Sequence, residues 1–365
     1  MMVTSNKTAF NAITLFSGIG VDEFYLPNIG INIKLACELS SKRVEIYKFF
    51  HSTPNVICGD LCNTNIKNAI IEFAKQNDIK LLIATPPCQG VSLAGINKSM
   101  NDILSDKRNF LVMNAIDIFE KTTPDYFIIE NVPRFQKMLF PNKYQNSLVP
   151  LEALLCEKFS HDYNIDVKIF NAADYGVPQN RLRIVYRLWK KGLYWGVPQK
   201  QSVITVRQAI GALPSIESGE QSGIKNHNAR IIPRNHIECM RHTPSGKSAF
   251  DNPIFFPKKI NGEKIKGFNN TFKRMDWDKP APTITMRNEI VSSQENVHPG
   301  YLLPDGTWSD ARVLTLRELL ILSSLPPDLD IPNNITESCF RQLIGEGIPP
   351  KMFAEIIRQI GAFNE

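Results

Sequence analysis

Thr85-Pro86-Pro87-Cys88-Gln89 joins a sharp turn to a thiol, and it closes the apolar run Lys80-Leu81-Leu82-Ile83-Ala84. Two prolines cannot continue a strand ladder, so a strand over that run must stop and the chain must turn. A cysteine just past the carboxyl end of such a strand stands where open α/β sheets place their ligands. Alone it is more often a buried structural thiol; as a nucleophile it needs an acid, a cation and an electrophile. Two other blocks offer the first two. Glu130-Asn131-Val132 closes a second apolar run, and Gln179-Asn180-Arg181-Leu182-Arg183 brings paired arginines. Their ordinary readings are a structural strand-end acid and surface charge.

A third group of residues suits a bound adenosine. The strand Ala12–Phe16 runs into Ser17-Gly18-Ile19-Gly20, a turn through which backbone can approach a ligand. A full G-x-G-x-x-G is absent, which weakens a nicotinamide reading. Glu38 ends the strand Ile33–Glu38 and is positioned to accept from ribose hydroxyls; Asp60 follows Asn55–Cys58 and could accept from an adenine amino group. Each could be a solvated carboxylate, but three successive strand ends agree.

These blocks need a scaffold that alternates strands and helices. Further strands are expected over Asp125–Glu130, Ile165–Phe170 and Leu182–Tyr186. Helices are expected after a Ser40 cap, through Ile66, Ile70 and Phe73, and over Phe110–Phe119. Such alternation implies an α/β fold with a mainly parallel sheet covered by helices on both faces. Residues 190–280 lose this regularity and are rich in Gly, Pro, Asn, Lys and Arg, yet carry Phe250, Phe255, Phe256, Phe268, Phe272 and Trp277. A small loop-rich second domain is expected there. Helices return over Leu314–Ser323 and Pro350–Ile360.

Bulk properties narrow the class. The 365 residues are 43% hydrophobic and 21% charged, and no apolar run approaches the ~20 residues of a membrane span. The first residues lack a secretory pattern, and the seven scattered cysteines suit reduced thiols in a cytoplasm rather than a metal site or disulfide framework. A net charge of +6 permits an anionic partner without demonstrating one.

Together the blocks resemble the cytosine-C5 DNA methyltransferase family, which uses S-adenosyl-L-methionine. Phe16-Ser-Gly18-Ile-Gly20 looks like its first motif, and Pro86-Pro87-Cys88-Gln89 with Ser92 like its nucleophile motif. Glu130-Asn131-Val132 matches the acid block, and Gln179-x-Arg181-x-Arg183 matches the Q-x-R-x-R block. Pro282-Thr283-Ile284-Thr285 and Arg312–Glu318 match the motif after the recognition region; Gln342–Pro350 resembles the last motif. The resemblance covers nearly the whole chain and implies a Rossmann-like class I methyltransferase domain, 1–188 completed by 281–365. A smaller, irregular target-recognition domain would span 189–280. Cys88 would add to C6 of a flipped cytosine in duplex DNA, and Glu130 would protonate N3. Arg183 and Arg181 would hold O2, and Asn131 would position a water. Phe16, Gly18, Gly20, Glu38, Asp60, Pro86, Leu111 and Glu346 would hold the cofactor. Gln89, Ser92, Arg241, Lys247 and Arg274 would contact DNA.

The chain departs from the family pattern at Val21, Thr85, Gly90-Val91 and Glu346-Gly347. A carboxylate at Glu346 would repel that of the cofactor, so Glu346 is expected to point away or pair with a base. Three functional classes are weighed: a sequence-specific DNA methyltransferase of restriction–modification type, a tRNA cytosine-5 methyltransferase, and a non-catalytic nucleic-acid-binding relative. The long recognition-like insert favours the first. It implies a cytoplasmic monomer without membrane attachment, with a cognate restriction endonuclease as a functional partner.

Overall fold

Short apolar runs that Gly, Pro or an acid cuts off become the strands of one sheet. The computed structural model describes residues 10–53, 55–87, 110–142, 147–259 and 261–361. Its strands are β1 (Phe10–Leu15), β2 (Ile31–Glu38), β3 (Asn55–Cys58), β4 (Leu81–Ala84), β5 (Tyr126–Asn131), β6 (Leu139–Asn142), β7 (Ser147–Pro150), β8 (Tyr163–Asn171) and β9 (Leu182–Lys190). Seven of them form a sheet in the order β3-β2-β1-β4-β5-β9-β8, while β6 and β7 form a separate antiparallel pair. The four pairings among β1 to β5 are parallel; β5–β9 and β8–β9 are antiparallel. Both β4 and β5 are buried along their whole length, which is why they read as unbroken apolar runs.

β1 pairs with β2 on one side and β4 on the other. The chain therefore winds outward in one direction, returns past β1, and winds outward in the other. At such a switch point the carboxyl ends of the two central strands diverge and leave a crevice.

The helices α1 (Ser41–Phe50), α2 (Thr64–Gln76), α3 (Val112–Thr122) and α4 (Leu151–Phe159) connect these strands. The Ser40 side chain caps α1 by accepting from Arg43 N–H at 3.4 Å, as expected from the sequence. Ile70 and Ile71 of α2, Ile116 and Phe119 of α3 and Leu154 and Leu155 of α4 form one core with Leu15, Phe127, Ile129 and Tyr186. Phe119 stacks on Phe127 with centroids 4.5 Å apart.

The chain divides into two compact units. The first is Met1–Asn171, Leu182–Pro198 and Ala354–Glu365; the second is Ala172–Arg181 and Gln199–Phe353. The span 189–280, read from sequence as a recognition domain, is thus shared: 189–198 lies in the first unit and 199–280 in the second, together with 281–353. Among described residues the second unit has the short helices α5 (Val206–Ile210), α6 (Arg234–Arg241), α7 (Leu316–Leu322) and α8 (Glu337–Glu346), followed by α9 (Pro350–Ile357), which runs on into the first unit. Capping boxes from Thr205–Gln208 and Thr315–Glu318 start α5 and α7. One of its cores joins Ile232, Met240, Ala249 and Phe272 to Val291, Val297, Ala311 and Val313. No helix among the described residues is long and apolar enough to cross a membrane.

Gly20 has φ +72°, and a Cβ there would lie 2.4 Å from the His51 ring and 2.8 Å from Tyr47. Gly20→Ala combines a left-handed backbone with a collision against the Tyr47 and His51 rings, so it should destabilise the protein by roughly 2–4 kcal/mol. Urea unfolding measures this, and an unchanged midpoint would contradict the packing described.

Candidate active site

The carboxyl ends of β1, β4 and β5 are tied to one another by hydrogen bonds. Thr85 N–H donates to Leu15 O at 3.2 Å and its hydroxyl to Phe16 O at 3.1 Å. The Asn131 amide donates to Pro86 O at 3.1 Å, while its Oδ1 accepts from Val132 N–H at 2.9 Å. Pro86 is buried. The backbone that leads into Cys88 is therefore pinned from both neighbouring strands. Cys88, Gln89 and Ser92 themselves lie outside the described residues. Both ends of the amide of Asn131, the residue expected to orient a water, engage backbone, so it also positions the turn.

Glu130 and Arg183 meet across β5 and β9. Glu130 faces Val185 in the antiparallel register, and Arg183 is two residues before Val185 on the same face, a diagonal that a long side chain spans. Arg183 Nε lies 2.7 Å from Glu130 Oε1, with both side chains at most 10% exposed. Arg183 Nη1 donates to Leu182 O at 2.8 Å. The acid and the arginine singled out in two separate blocks thus lie together at the carboxyl edge of β5.

Two further acids, Asp22 and Glu23, are buried directly after the glycine turn. Burial, reinforced by the charge of Glu130, pushes the Asp22 carboxyl up to about 7 against a backbone hydrogen bond that lowers it. Burial and then Asp22 push Glu23 well above the carboxylate range, although Tyr47 Oη donates to Glu23 Oε2 at 2.5 Å. Burial lowers the nearby His51 to about 4. Sequence reading passed over this group, because acids after a turn are ordinarily solvated. The available signal was their setting among apolar Ile19, Val21 and Leu26, all of which are buried.

The strand-end residues expected to hold an adenosine lie at or just after the ends of β1, β2 and β3. Phe16, Gly18 and Gly20 all have positive φ and form the turn after β1. Glu38 Oε2 accepts from Gly18 N–H and Oε1 from Ser40 N–H, each at 3.0 Å, so this carboxylate braces the ends of β1 and β2. A carboxylate offers about four acceptor sites, which leaves capacity for ribose hydroxyls. Asp60 is exposed and accepts from Cys62 N–H at 2.8 Å. A Cβ on Gly18 would meet nothing within 4 Å, so its backbone faces open space. Leu111 is half-buried at the start of α3.

Arg181 belongs to the second unit and does different work from Arg183. Its guanidinium donates to the carbonyls of Ile284 (2.7 Å), Gly345 (2.9 Å) and Glu346 (3.2 Å). Gln179 donates to Leu322 O at 3.1 Å and accepts from Ile284 N–H at 3.2 Å. Thus Arg181 joins three sequence-distant blocks and is a positioning residue, not a group poised for a substrate oxygen. Arg241 and Lys247 are exposed. Arg274 corrects the sequence expectation of a DNA contact. It is fully buried and donates to carbonyls of Met240, His298, Asp310 and Ser309 at 2.7–3.2 Å, so it holds loops together. No metal-ligating cluster occurs among the described residues.

The switch-point sheet, glycine turn and strand-end acids define a Rossmann-like α/β fold of the class I methyltransferase kind. Solved structures agree at the level of fold: the Entamoeba histolytica methyltransferase EhMeth superposes with a TM-score of 0.62 at 16% identity, covering 96% of this chain and 98% of that one. A Spodoptera frugiperda DNMT2 gives 0.57 at 17% identity, covering 98% and 100%. In sequence, the chain is 46% identical to the Type II methyltransferase M1.HgaI of Avibacterium volantium, over 98% of this chain and 99% of that protein. It is 28% identical to M1.HphI of Haemophilus parahaemolyticus, over 96% and 87%. The model of C-5 cytosine-specific DNA methylases matches residues 10–362, and the chain belongs to that family of DNA cytosine methyltransferases.

The raised Asp22 carboxyl gives a signed pH effect. An acid whose folded pKa exceeds its unfolded value costs stability as pH rises from about 4 to about 7, because only the unfolded chain ionises freely over that window. Asp22→Asn should therefore gain on the parent protein by roughly 2–4 kcal/mol at pH 8 and by little at pH 4.5. Urea unfolding at both pH values tests this, and a pH-independent difference would rule out the assignment.

Proposed function

We propose that the protein transfers a methyl group from S-adenosyl-L-methionine to C5 of a cytosine flipped from a specific duplex DNA sequence, through a covalent bond between Cys88 and C6. The observation that carries this reading is the convergence of the Glu130–Arg183 pair with the Asn131-held Pro86 backbone on one strand-end edge. It supplies an acid and a guanidinium beside the turn that leads into a thiol.

Cytosine C5 is a poor nucleophile. Addition of the Cys88 thiolate to C6 makes the ring enamine-like, and a proton delivered to N3 by the protonated form of Glu130 neutralises the charge that develops. Arg183 Nε is ion-paired with Glu130 and Nη1 donates to Leu182 O, and Nη2 would reach the cytosine O2. After methyl transfer a bound water takes the C5 proton, and elimination releases Cys88 and restores the aromatic ring. The open space at Gly18 and the remaining acceptor capacity of Glu38 and Asp60 suit an adenosine ligand, flanked by Phe16, Gly20, Pro86 and Leu111. S-adenosyl-L-methionine supplies an electrophilic methyl there when bound. Glu346 is assigned to its methionine end by motif alone.

A cytosine inside a duplex is out of reach of such a pocket, so it must be extruded. Residues 189–280 are assigned to target recognition, with Arg241 and Lys247 as DNA contacts; Gln89 and Ser92 are assigned DNA contacts by motif. The relatives named as Type II methyltransferases support a restriction–modification role with a cognate endonuclease. A cytoplasmic monomer fits that role.

A duplex containing 5-fluorocytosine at the methylated position should trap the protein as a denaturation-resistant adduct, and Cys88→Ser should abolish it. Glu130→Gln should slow methyl transfer by roughly 10²–10⁴-fold. Bisulfite mapping of a methylated plasmid identifies the position, and persistence of the adduct in the Cys88 variant would refute the mechanism.

A further inference from the structure

The order of the strands fixes how a cofactor can lie along the sheet edge. Glu38 ends β2 and Asp60 follows β3, and both are assigned to adenosine; β4 leads to Pro86, and β5 carries Glu130. In the order β3-β2-β1-β4-β5, β1 stands between these two groups. A ligand with its adenosine on one side and its methyl directed to the other must cross the turn after β1. It crosses there with its sulfonium and the amino acid arm that branches from it. Gly20 closes that turn at φ +72°, and Asp22 follows within the 3₁₀ turn Val21–Glu23.

Asp22 is an unusual residue for this place. It is 5% exposed, and its Oδ2 has no hydrogen-bond partner among the described residues. Buried carboxyl oxygens ordinarily have one, so an orphan calls for a donor. A structural acid engages both oxygens inside the fold, as Glu38 does with Gly18 and Ser40. The titratable groups around Asp22 supply no such donor. Glu23 turns to α1, where Tyr47 Oη donates to its Oε2 at 2.5 Å. Burial lowers the His51 imidazole to about 4, so it is uncharged at neutral pH. Glu130 is a second acid, and the Arg183 guanidinium lies against it at 2.7 Å. Burial, reinforced by Glu130, already brings Asp22 to about 7, so a cation placed beside it would tip it to the carboxylate. The missing partner is therefore an N–H donor that carries positive charge and arrives with a ligand. A sulfonium has no N–H to give, whereas an α-ammonium has three.

We infer that Asp22 is the counter-charge of the cofactor's amino acid arm: its Oδ2 accepts from the α-ammonium, and its own proton passes to solvent on binding. This rests on the assignment of S-adenosyl-L-methionine as the methyl donor. The test is calorimetric titration of the intact protein and of Asp22→Asn with two ligands. S-adenosyl-L-homocysteine keeps the α-ammonium, and its deamino analogue keeps only the carboxylate. Runs at pH 7 in two buffers of different ionisation heat count the protons. The parent protein should release about half a proton with S-adenosyl-L-homocysteine and should release none with the deamino analogue. Its affinity for S-adenosyl-L-homocysteine should rise about tenfold from pH 6 to pH 8, because binding requires the carboxylate and the free carboxyl titrates between. Asp22→Asn keeps the shape without the charge, so it should lose both effects. Its preference for S-adenosyl-L-homocysteine over the deamino analogue at pH 8 should fall at least tenfold. A parent protein that binds without releasing a proton would overturn the inference, as would parent-like pH dependence and preference in Asp22→Asn. Equal weakening of both ligands in the variant would mark a structural role and refute it too. Absence of S-adenosyl-L-homocysteine binding by the parent protein would instead overturn the cofactor assignment, and the inference with it.

Discussion

One reversed strand sets the chemistry of this sheet. Parallel strands deliver their last residues to the carboxyl edge, as β1, β4 and β5 do with Phe16, Thr85 and Asn131. β9 runs against β5, so it delivers its first residues there instead. Arg183, the second residue of β9, consequently lands beside Glu130 near the end of β5. A parallel strand in the same position would present its far end, near Lys190, and would carry Arg183 to the opposite edge of the sheet. Two largely buried charges carry a heavy desolvation cost, and their closeness at 2.7 Å offsets it only while the β5–β9 register holds. Register, pairing direction and the functional edge are one constraint.

The acids around the glycine turn extend that constraint. Asp22 and Glu23 lie inside the first unit because Gly20 turns the chain inward against Tyr47 and His51. Their burial favours the protonated forms, so the segment can tolerate several carboxyls without an equal number of cations. Glu38 differs in its contacts, since its two carboxylate oxygens accept from the backbone N–H groups of Gly18 and Ser40 and brace the ends of β1 and β2.

What could be read from the sequence was what local pattern decides. An apolar run ended by proline, glycine or an acid is visible without knowing its neighbours, and so β1 to β5, the Ser40 cap and the strand-end residues Glu38, Asp60 and Glu130 were legible. The direction of β9 was not, because antiparallel pairing depends on a partner about 50 residues away. Nor were β6 and β7, whose Leu139–Asn142 and Ser147–Pro150 carry prolines and pair only with each other. The carbonyls gathered by Arg181, expected at the cytosine O2, and by Arg274, expected on DNA, were not legible either, because only the folded arrangement brings those distant segments together.

That convergence follows from the scarcity of regular structure in the second unit. Backbone carbonyls that lack a helix or ladder partner still need donors once buried. Arginine brings five donors in a rigid fork, more than any other side chain, and can satisfy several at once. Arg181 joins Ile284 to Gly345 and Glu346, Arg274 joins Met240 to His298 and Ser309, and Arg341 reaches Leu314 O at 2.7 Å. Arg312 donates to Ile216 O while Glu318 and Asp310 balance its charge, and against the effect of burial it helps hold Glu318 at about 2. These side chains replace the ladder bonds of an ordinary sheet with point-to-point ties between loops. Such a scaffold leaves the loops between ties free to differ in length and sequence, since their own backbone carries little of the fold. The excursion between Phe250 and Phe272 is instead closed at its root by the edge-on contact of those two rings.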